Sequence, residues 1–463
     1  MEVTVIPFGS AFIVGALPSG LYAALYLKSR GIRVFVSESK EICADVRLST
    51  SASMLNKAGI PCEFGRNSET TMIEYDVVVV SPGVPPNAPI LGAARKAGKA
   101  VIGETEIASY AGLSILGVTG SNGKSTTTAI LGKIISRAFP QAVTGGNLGI
   151  PVSQLLVEHP QADVAVLEVS CFQLETIRAF HPHVGVFTNV VPNHLDRYGT
   201  MEAYVQTKVR LFENMKPDDY AVLNRDDPVL REVGSRLSPA VYYFGLVPGA
   251  YRGVHVTGDF VLYTDGHTTE RLFCRSDIRI PGQHNLVNAM SAALAAYLYG
   301  VMPTDIQTAL REFEGLSHRL ECVGSWRNIV FVNDSKATTP ESVMTASAAM
   351  SGPYVVILGG SSKGISFDHM AWYLAHDTNL VAAVVLGTTG PTIAGSIRSS
   401  GRTPVVYAES LEDAVMKGIQ LLPSGGTLLL SPACASFDMF RDFEERGDRF
   451  KEIVHTLMHR PTA

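Results

Sequence analysis

The residues of this chain best suited to chemistry lie between positions 117 and 131, which read GVTGSNGKSTTTAIL. A glycine-rich turn that opens a helix binds phosphate through backbone N–H groups, and a lysine there neutralises phosphate charge. The pattern is a variant of G-x-x-x-x-G-K-[ST], because Val118 stands where the first glycine belongs. We therefore expect a nucleotide-binding loop. Its candidate residues are Gly120, Ser121, Asn122, Gly123, Lys124, Ser125 and Thr126.

Groups that could hold a metal ion follow the neighbouring apolar runs. Glu168 ends one such run, where a carboxylate is costly unless it meets a cation. His194 follows the next run, in the segment PNHLDRY. With Ser125 these side chains predict a metal-centred site, and Mg²⁺ prefers such oxygen ligands. The segment AYVQTKVRLF, taken by itself, predicts only that Lys208 is a solvated charge on a helix surface.

A second set of polar residues occupies the last third of the chain. Arg319 in HRLE offers a bidentate grip on phosphate or carboxylate. Asp334 and Lys336 stand two residues apart just after an apolar run, and Lys363 and Ser436 follow later runs. Ligands of doubly wound sheets bind beyond the carboxyl ends of the strands. The sequence therefore predicts a second ligand site in this part of the chain.

Three blocks of alternating apolar runs and helical segments position these residues, which predicts an α/β fold with mostly parallel sheets. We place the domains at residues 1–101, 102–315 and 316–463. The first begins like a Rossmann fold, although Leu17 stands where the second glycine of G-x-G-x-x-G belongs. Strands are expected at 11–14, 34–36, 77–80, 115–118, 164–167, 184–187, 329–332, 354–358, 381–386, 404–407 and 427–430, with helices at 204–212 and 282–300. The apolar residues from Phe437 to Leu457 are expected on one buried helix face.

The composition limits the class of protein. The 463 residues are 46% apolar and 17% charged, so several cores can be buried. A net charge of −5 gives no expectation of nucleic-acid binding. We find no signal peptide and no apolar run of 18 residues, and the six scattered cysteines are typical of reduced thiols, so we expect a cytoplasmic protein without membrane insertion.

Seven motifs occur in the order TGSNGKST, LEVSCFQLE, NHLDRY, GQHNLVNA, HRLE, NDSKAT and SPACASFDMFRDFEERGDRF. Together they resemble the Mur ligase family of peptidoglycan synthesis over residues 15–450. The resemblance implies a UDP-binding Rossmann-like domain, a P-loop ATPase-type central domain and a Rossmann-like C-terminal domain. It also implies a monomeric ATP-dependent ligase, which joins D-glutamate to UDP-N-acetylmuramoyl-L-alanine through an acyl phosphate.

The resemblance assigns roles to individual residues. The implied catalytic residues are Lys124, His194, Lys208 and Arg319. Besides the loop, the implied ATP contacts are Asn285, Asn288, Arg319 and Asp334. The implied contacts of the UDP substrate are Pro18, Ser19, Glu38, Ser39, Ser81, Asn147 and His194. Those of D-glutamate are Lys336, Thr338, Lys363, Ser436, Phe437 and Phe443. Two Mg²⁺ ions are implied near Ser125, Glu168, His194 and a carbamylated Lys208.

Three alternatives stay open from the sequence. One is an oxidoreductase that uses the Rossmann-like first block, which the missing glycine and the phosphate loop disfavour. Another is a P-loop binding or switch protein without ligase chemistry. The third is a related Mur ligase that adds a different amino acid.

Overall fold

The computed structural model describes residues 6–147, 149–192, 195–361 and 365–459. His194 and Lys363, two of the predicted site residues, lie outside these ranges. Three sheets carry the described chain, and most of their strand pairs are parallel. The predicted α/β class with mostly parallel sheets is therefore confirmed.

The first sheet is fully parallel, in the order β3-β2-β1-β4-β5. Alternate residues of its strands, such as Ile13 and Phe12, enter separate apolar clusters on opposite faces. Burial on both faces explains why the strands read as continuous apolar runs. The strands are β1 (Ser10–Val14), β2 (Arg33–Glu38), β3 (Cys62–Phe64), β4 (Val77–Val80) and β5 (Ala100–Gly103). The helices are α1 (Pro18–Ser29), α2 (Val46–Lys57), α3 (Glu69–Ile73) and α4 (Pro89–Lys96), with 3₁₀ segments at Ile42–Ala44 and Glu104–Tyr110.

The second sheet has nine strands in the order β14-β13-β12-β11-β10-β9-β6-β8-β7. Only its last two strand pairs, β12 with β13 and β13 with β14, are antiparallel. The strands are β6 (Ser114–Thr119), β7 (Val143–Gly146), β8 (Val164–Glu168), β9 (Val184–Phe187), β10 (Tyr220–Asn224), β11 (Ala240–Gly245), β12 (Gly253–Thr257), β13 (Phe260–Thr264) and β14 (Thr269–Cys274). The helices are α5 (Lys124–Ala138), α6 (Val152–Glu158), α7 (Cys171–Leu174), α8 (Leu195–Tyr198), α9 (Met201–Val209), α10 (Pro228–Gly234), α11 (Gln283–Leu298) and α12 (Pro303–Glu312), with 3₁₀ segments at Arg210–Phe212 and Arg275–Asp277.

The third sheet has six strands in the order β15-β16-β20-β17-β18-β19, of which only the edge strand β15 is antiparallel to its neighbour. The strands are β15 (Glu321–Trp326), β16 (Ile329–Asn333), β17 (Tyr354–Gly359), β18 (Leu380–Leu386), β19 (Val405–Tyr407) and β20 (Gly426–Leu430). The helices are α13 (Pro340–Ala348), α14 (Asp368–His376), α15 (Gly390–Ser400), α16 (Leu411–Gln420) and α17 (Phe443–Met458).

The chain divides into two compact units. The first holds the first two sheets, and the second holds residues 314–463 with the short segment Ile280–Gly282. Across the described residues, no helix is long and apolar enough to span a bilayer.

One element differs from its expectation. The last helix begins at Phe443, with Asp442 capping its N-terminus, so Phe437 and Phe440 precede it. Phe437 is 73% exposed instead of buried on the helix face. The periodic apolar pattern was real for Phe450 and Val454, which are fully buried, but its extension toward Phe437 was wrong because the Asp442 cap starts the helix later.

Candidate active site

The predicted phosphate loop joins β6 to α5, as its sequence indicated. Gly123 precedes the helix with φ +79°, and Gly120 has φ +149°. A Cβ atom at Gly120 would lie 1.9 Å from Thr188 Oγ1, so no other residue fits there without rearrangement. Thr188, directly after β9, holds the loop in place, because its hydroxyl donates a hydrogen bond to Asn122 O over 2.6 Å.

Two lysines converge on one carbonyl of this loop. Lys124 Nζ donates to Gly120 O over 2.9 Å, and Lys208 Nζ donates to the same oxygen over 2.8 Å. Lys208 is only 1% exposed. Burial lowers the pKa of Lys208 to about 7, and the nearby Lys124 ammonium contributes in the same direction. The reading of Lys208 as a solvated helix charge is therefore wrong, because α9 packs this side chain under the loop.

The predicted metal ligand Glu168 lies beside them at the carboxyl end of β8. Its side chain is buried, and Oε1 accepts a hydrogen bond from Asn147 Nδ2 over 2.7 Å. Oε2 is also buried and accepts no hydrogen bond from any described residue. An orphaned buried carboxylate oxygen next to a phosphate loop fits a hard cation such as Mg²⁺. Ser125, the second residue of the loop helix, is buried as well.

The described residues do not form a complete protein cage for a metal ion. No group of three His, Cys, Asp or Glu side chains in the described ranges is arranged to hold one. Glu168 and the Ser125 hydroxyl fit a Mg²⁺ that takes its other ligands from water and phosphate oxygens, which is the usual form of a Mg²⁺ site.

The two asparagines predicted near ATP lie on α11, which packs against the loop helix α5. Asn288 Nδ2 donates to Asn285 Oδ1 over 3.2 Å, and both side chains are buried. A Cβ atom at Gly123 would lie 2.3 Å from Asn288 Oδ1. The structure therefore brings both asparagines to the phosphate loop.

The residues predicted to contact the UDP substrate meet at the carboxyl edge of the first sheet. Glu38, at the end of β2, accepts from the Ala16 amide over 3.0 Å and from the Lys40 amide over 3.0 Å. Ser81 follows β4, and its buried hydroxyl has no hydrogen-bond partner among the described residues. Pro18 and Ser19 open α1, and Ser39 follows Glu38. Asn147 is separate from this group, because it contacts Glu168 on the second sheet.

In the second unit, the HRLE turn is held in an unusual backbone conformation. His318 and Leu320 have φ values of +62° and +46°, so Arg319 stands between two left-handed residues. The Leu320 amide donates to Asp334 Oδ1 over 3.2 Å, and Ser431 Oγ donates to Asp334 Oδ2 over 2.8 Å. Burial raises the pKa of Asp334 to about 7, against the effect of these hydrogen bonds and of Arg319.

The described residues predicted for D-glutamate share the carboxyl edge of the third sheet, with one outlier. Lys336 Nζ lies 5.7 Å from the centre of the Phe443 ring. Thr338 continues the same loop, and Ser436 is buried in the loop after β20. Phe437 is the outlier, because its side chain is turned largely to solvent.

Several residues that shape these sites were missed in the sequence. Thr188 and Asn189 fix the phosphate loop, and both stand directly after β9, where strand-end positions could have identified them. Tyr204 hydrogen-bonds Ser121 across 3.1 Å. Arg446 was missed because an arginine inside an amphipathic helix usually faces water, whereas this one is 3% exposed.

Comparison with known proteins adds independent observations. The model of the Mur ligase MurD-like N-terminal domain matches residues 9–103, that of the Mur ligase middle domain matches 118–296, and that of the Mur ligase glutamate ligase domain matches 318–434. A UDP-N-acetylmuramoylalanine--D-glutamate ligase of Pelotomaculum thermopropionicum is 39% identical over 449 residues, which cover 96% of this chain and 97% of that protein. The ligase of the same name from Symbiobacterium thermophilum is 36% identical over 451 residues, or 96% and 98% of the two chains.

A solved structure shares the fold. The UDP-N-acetylmuramate-alanine ligase of Thermotoga maritima matches with a TM-score of 0.61 at 21% identity, over 97% of this chain and 99% of that chain. With all three domain models matched and relatives above 30% identity along nearly its whole length, the chain belongs to the Mur ligase family.

Proposed function

We propose that this chain is an ATP-dependent ligase that joins D-glutamate to UDP-N-acetylmuramoyl-L-alanine in peptidoglycan precursor synthesis. The names and near-complete coverage of its relatives support the reaction. The observation that carries the chemistry is the convergence of Lys124, Lys208 and a Glu168 oxygen, unpaired among the described residues, at the phosphate loop. This arrangement suits a reaction that transfers a phosphoryl group. We assign the three domains to residues 1–101, 102–315 and 316–463.

The first step is phosphoryl transfer to the L-alanyl carboxylate. A carboxylate oxygen of the UDP-linked substrate attacks the γ-phosphorus of ATP, the bond to the β-phosphate oxygen breaks, and an acyl phosphate and ADP form. Such a transfer needs alignment and charge neutralisation more than covalent help. The loop amides and Lys124 supply both, once the Lys124 ammonium exchanges Gly120 O for phosphate oxygens. We also assign Arg319 to a phosphate of ATP and Asp334 to its ribose.

The second step makes the amide bond. The neutral amine of D-glutamate attacks the acyl carbon, the bond from carbon to the phosphate oxygen breaks, inorganic phosphate leaves, and the nitrogen gives up one proton to water. Lys336 and Thr338 from one loop and Ser436 from another hold the amino acid, with Phe443 as an apolar wall. We also assign Lys363 and Phe437 to this pocket.

Mg²⁺ would neutralise phosphate charge during the first step, held by Ser125, Glu168 and His194, and we propose two ions. Lys208 is a suitable site for carbamylation, because a neutral amine reacts with CO₂ and its pKa of about 7 makes the neutral form abundant near pH 7. The carbamate would present an anion where the structure has an amine. We further propose that the enzyme works as a monomer in the cytoplasm.

The direct test measures phosphate release and product mass. The enzyme is supplied with ATP, Mg²⁺ and UDP-N-acetylmuramoyl-L-alanine, together with D-glutamate, L-glutamate, L-alanine, L-lysine or meso-diaminopimelate. Release with D-glutamate alone, with a product heavier by one glutamyl residue, is the expected result. Release with another amino acid would indicate a related ligase of different specificity. Release that ignores the UDP substrate would indicate a P-loop hydrolase instead.

A matched pair of variants controls this assay. Lys124→Ala should reduce turnover by about 10³-fold or more, because the phosphate loses its main cation. Lys133→Ala removes a lysine from the same helix, where Lys133 forms a surface ion pair with Glu312. This control should retain nearly full turnover.

A further inference from the structure

Arg446 is a buried cation in an unfavourable place. It lies in the first turns of α17, where the positive end of the helix dipole opposes a cation. Its side chain is 3% exposed, and burial lowers the pKa of Arg446 to about 10. Among the described residues no carboxylate accepts a hydrogen bond from it, and the Asp438 carboxylate offsets the effect of burial on its pKa only in part. An apolar side chain would be cheaper here, so the guanidinium must supply something specific.

The guanidinium links two loops through four hydrogen bonds. Nε donates to Ser335 Oγ over 2.9 Å, and Nη2 donates to Ser335 O over 2.8 Å. Nη1 and Nη2 donate to Cys434 O over 3.2 and 3.1 Å. Ser335 Oγ in turn donates to Phe443 O over 2.8 Å, which ties the start of α17 into the same network.

The two loops follow neighbouring parallel strands, since Asn333 at the end of β16 pairs with Leu430 at the end of β20. Ser335 directly precedes Lys336, and Cys434 precedes Ser436 by two residues. Every acceptor of Arg446 thus stands within two residues of a side chain assigned to the amino-acid pocket. A planar fork with fixed donor directions suits this task better than a flexible ammonium.

We propose that Arg446 is a positioning residue of the amino-acid pocket, which sets the spacing between the 334–338 loop and the 431–436 loop. The proposal rests on the proposed function, because that function assigns Lys336 and Ser436 to the amino-acid substrate. Arg446 acts through these loops, because its own side chain is too buried to reach a ligand. Its loss should therefore affect the amino acid more than the UDP substrate, and it should affect ATP less than the amino acid and only through Asp334, which lies in the first loop and is assigned to the ribose.

The test compares Michaelis constants for the three substrates in two variants. Arg446→Met keeps an apolar stem and removes every donor, whereas Arg446→Lys keeps the charge but not the fork. We expect Arg446→Met to raise the KM for the amino acid about 10- to 100-fold, as loosened substrate alignment does. The KM for the UDP substrate should change less than about 2-fold. Arg446→Lys should give a smaller rise in the same KM.

The control is Arg449→Met, three residues along the same helix. Arg449 is exposed and pairs with Glu412 and Glu452, so its loss should leave all three constants unchanged. Equal rises in all three KM values, or unchanged values in a folded variant, would overturn the proposal. If Arg446→Met does not fold, Arg446→Lys decides by the same criteria. Wild-type enzyme that uses no amino acid overturns the proposed function itself, before any variant is compared.

Discussion

At the scale of single residues, the site concentrates groups that cost stability. Glu168 buries a carboxylate oxygen without a partner among the described residues, and two lysines share Gly120 O. Each of these features is unfavourable in the free protein and becomes favourable when phosphate and a cation are present. A cluster of groups that destabilise the ligand-free protein is typical of a binding site arranged for its ligands.

The buried carboxylate of Glu168 predicts opposite effects on stability and activity. Glu168→Gln should raise the free energy of unfolding by about 1 kcal/mol without Mg²⁺, because an amide is cheaper to bury than a carboxylate. The same variant should reduce turnover at saturating Mg²⁺ by about 10²-fold or more. Urea unfolding and phosphate release check the two effects, with the exposed Glu158→Gln as control. A variant with wild-type turnover would contradict the metal role of Glu168.

The buried lysine predicts a modification that depends on pH. At a fixed concentration of dissolved CO₂, carbamylation of Lys208 should increase as pH rises through about 7, because the fraction of neutral amine increases. Carbon-13 NMR with labelled CO₂ should show a protein carbamate signal that is lost in Lys208→Gln and kept in Lys133→Gln. A signal that survives in Lys208→Gln would place the modification elsewhere.

How far the sequence predicted these residues depended on the kind of signal. The positions of Gly120 and Gly123 could be predicted from the motif, because their backbone conformation favours glycine, and that of Glu168 could be predicted because it ends an apolar run. The ligand roles of these residues stay predictions. The burial of Lys208 and Arg446 was not evident from the residues, because α9 and α17 each carry other charges that do face water. Tertiary packing decides which charged side chain of such a helix is buried, and local sequence patterns carry no information about that packing.

At the scale of elements, the ends of the strands position most of the candidate site residues. Apolar runs predicted eleven of the twenty strands in the described residues to within one or two residues, nine strands had no predicted range, and α11 matched its predicted range closely. The opposite edge of the second sheet is also held by a specific group. Asp219, just before β10, accepts from His181 Nε2 over 2.6 Å and from His183 Nδ1 over 2.8 Å. This bridge ties the starts of β9 and β10, the strands whose other ends support the phosphate loop.

The Asp219 bridge predicts a stability difference that depends on pH. Burial alone would raise the pKa of Asp219, but hydrogen bonds from the Lys216 amide and both histidines outweigh it and lower the pKa. A carboxyl with a lowered pKa contributes stability above its unfolded value of about 3.9, and this is lost as pH falls through the folded value. Asp219→Asn should therefore cost about 1–3 kcal/mol at pH 7, and less as the pH falls below about 4.

Urea unfolding of wild type and Asp219→Asn between neutral and acidic pH measures this difference. Asp218→Asn is the control, because it changes the neighbouring exposed carboxylate. A stability difference that stays constant across the pH range would mean that the carboxylate charge is not what the bridge requires.

At the scale of the whole molecule, three sheets each gather assigned ligand residues at their carboxyl edges, as open parallel sheets do. The first sheet gathers Glu38 and Ser81, the second the phosphate loop and Glu168, and the third Asp334 with the two loops tied by Arg446. This division suits a reaction with three substrates. The net charge of −5 does not attract the three proposed substrates, which are all anionic, so local cations must hold them.

The central claim is that ATP activates the L-alanyl carboxylate as an acyl phosphate. The most direct measurement uses UDP-N-acetylmuramoyl-L-alanine with oxygen-18 in that carboxylate, together with ATP, Mg²⁺ and D-glutamate, and follows the label by mass spectrometry. The account predicts one labelled oxygen in each released phosphate, because the carboxylate oxygen leaves with phosphorus when the amide forms. Released phosphate without the label, beside an unchanged UDP substrate, would contradict the account and show that the loop only hydrolyses nucleotide.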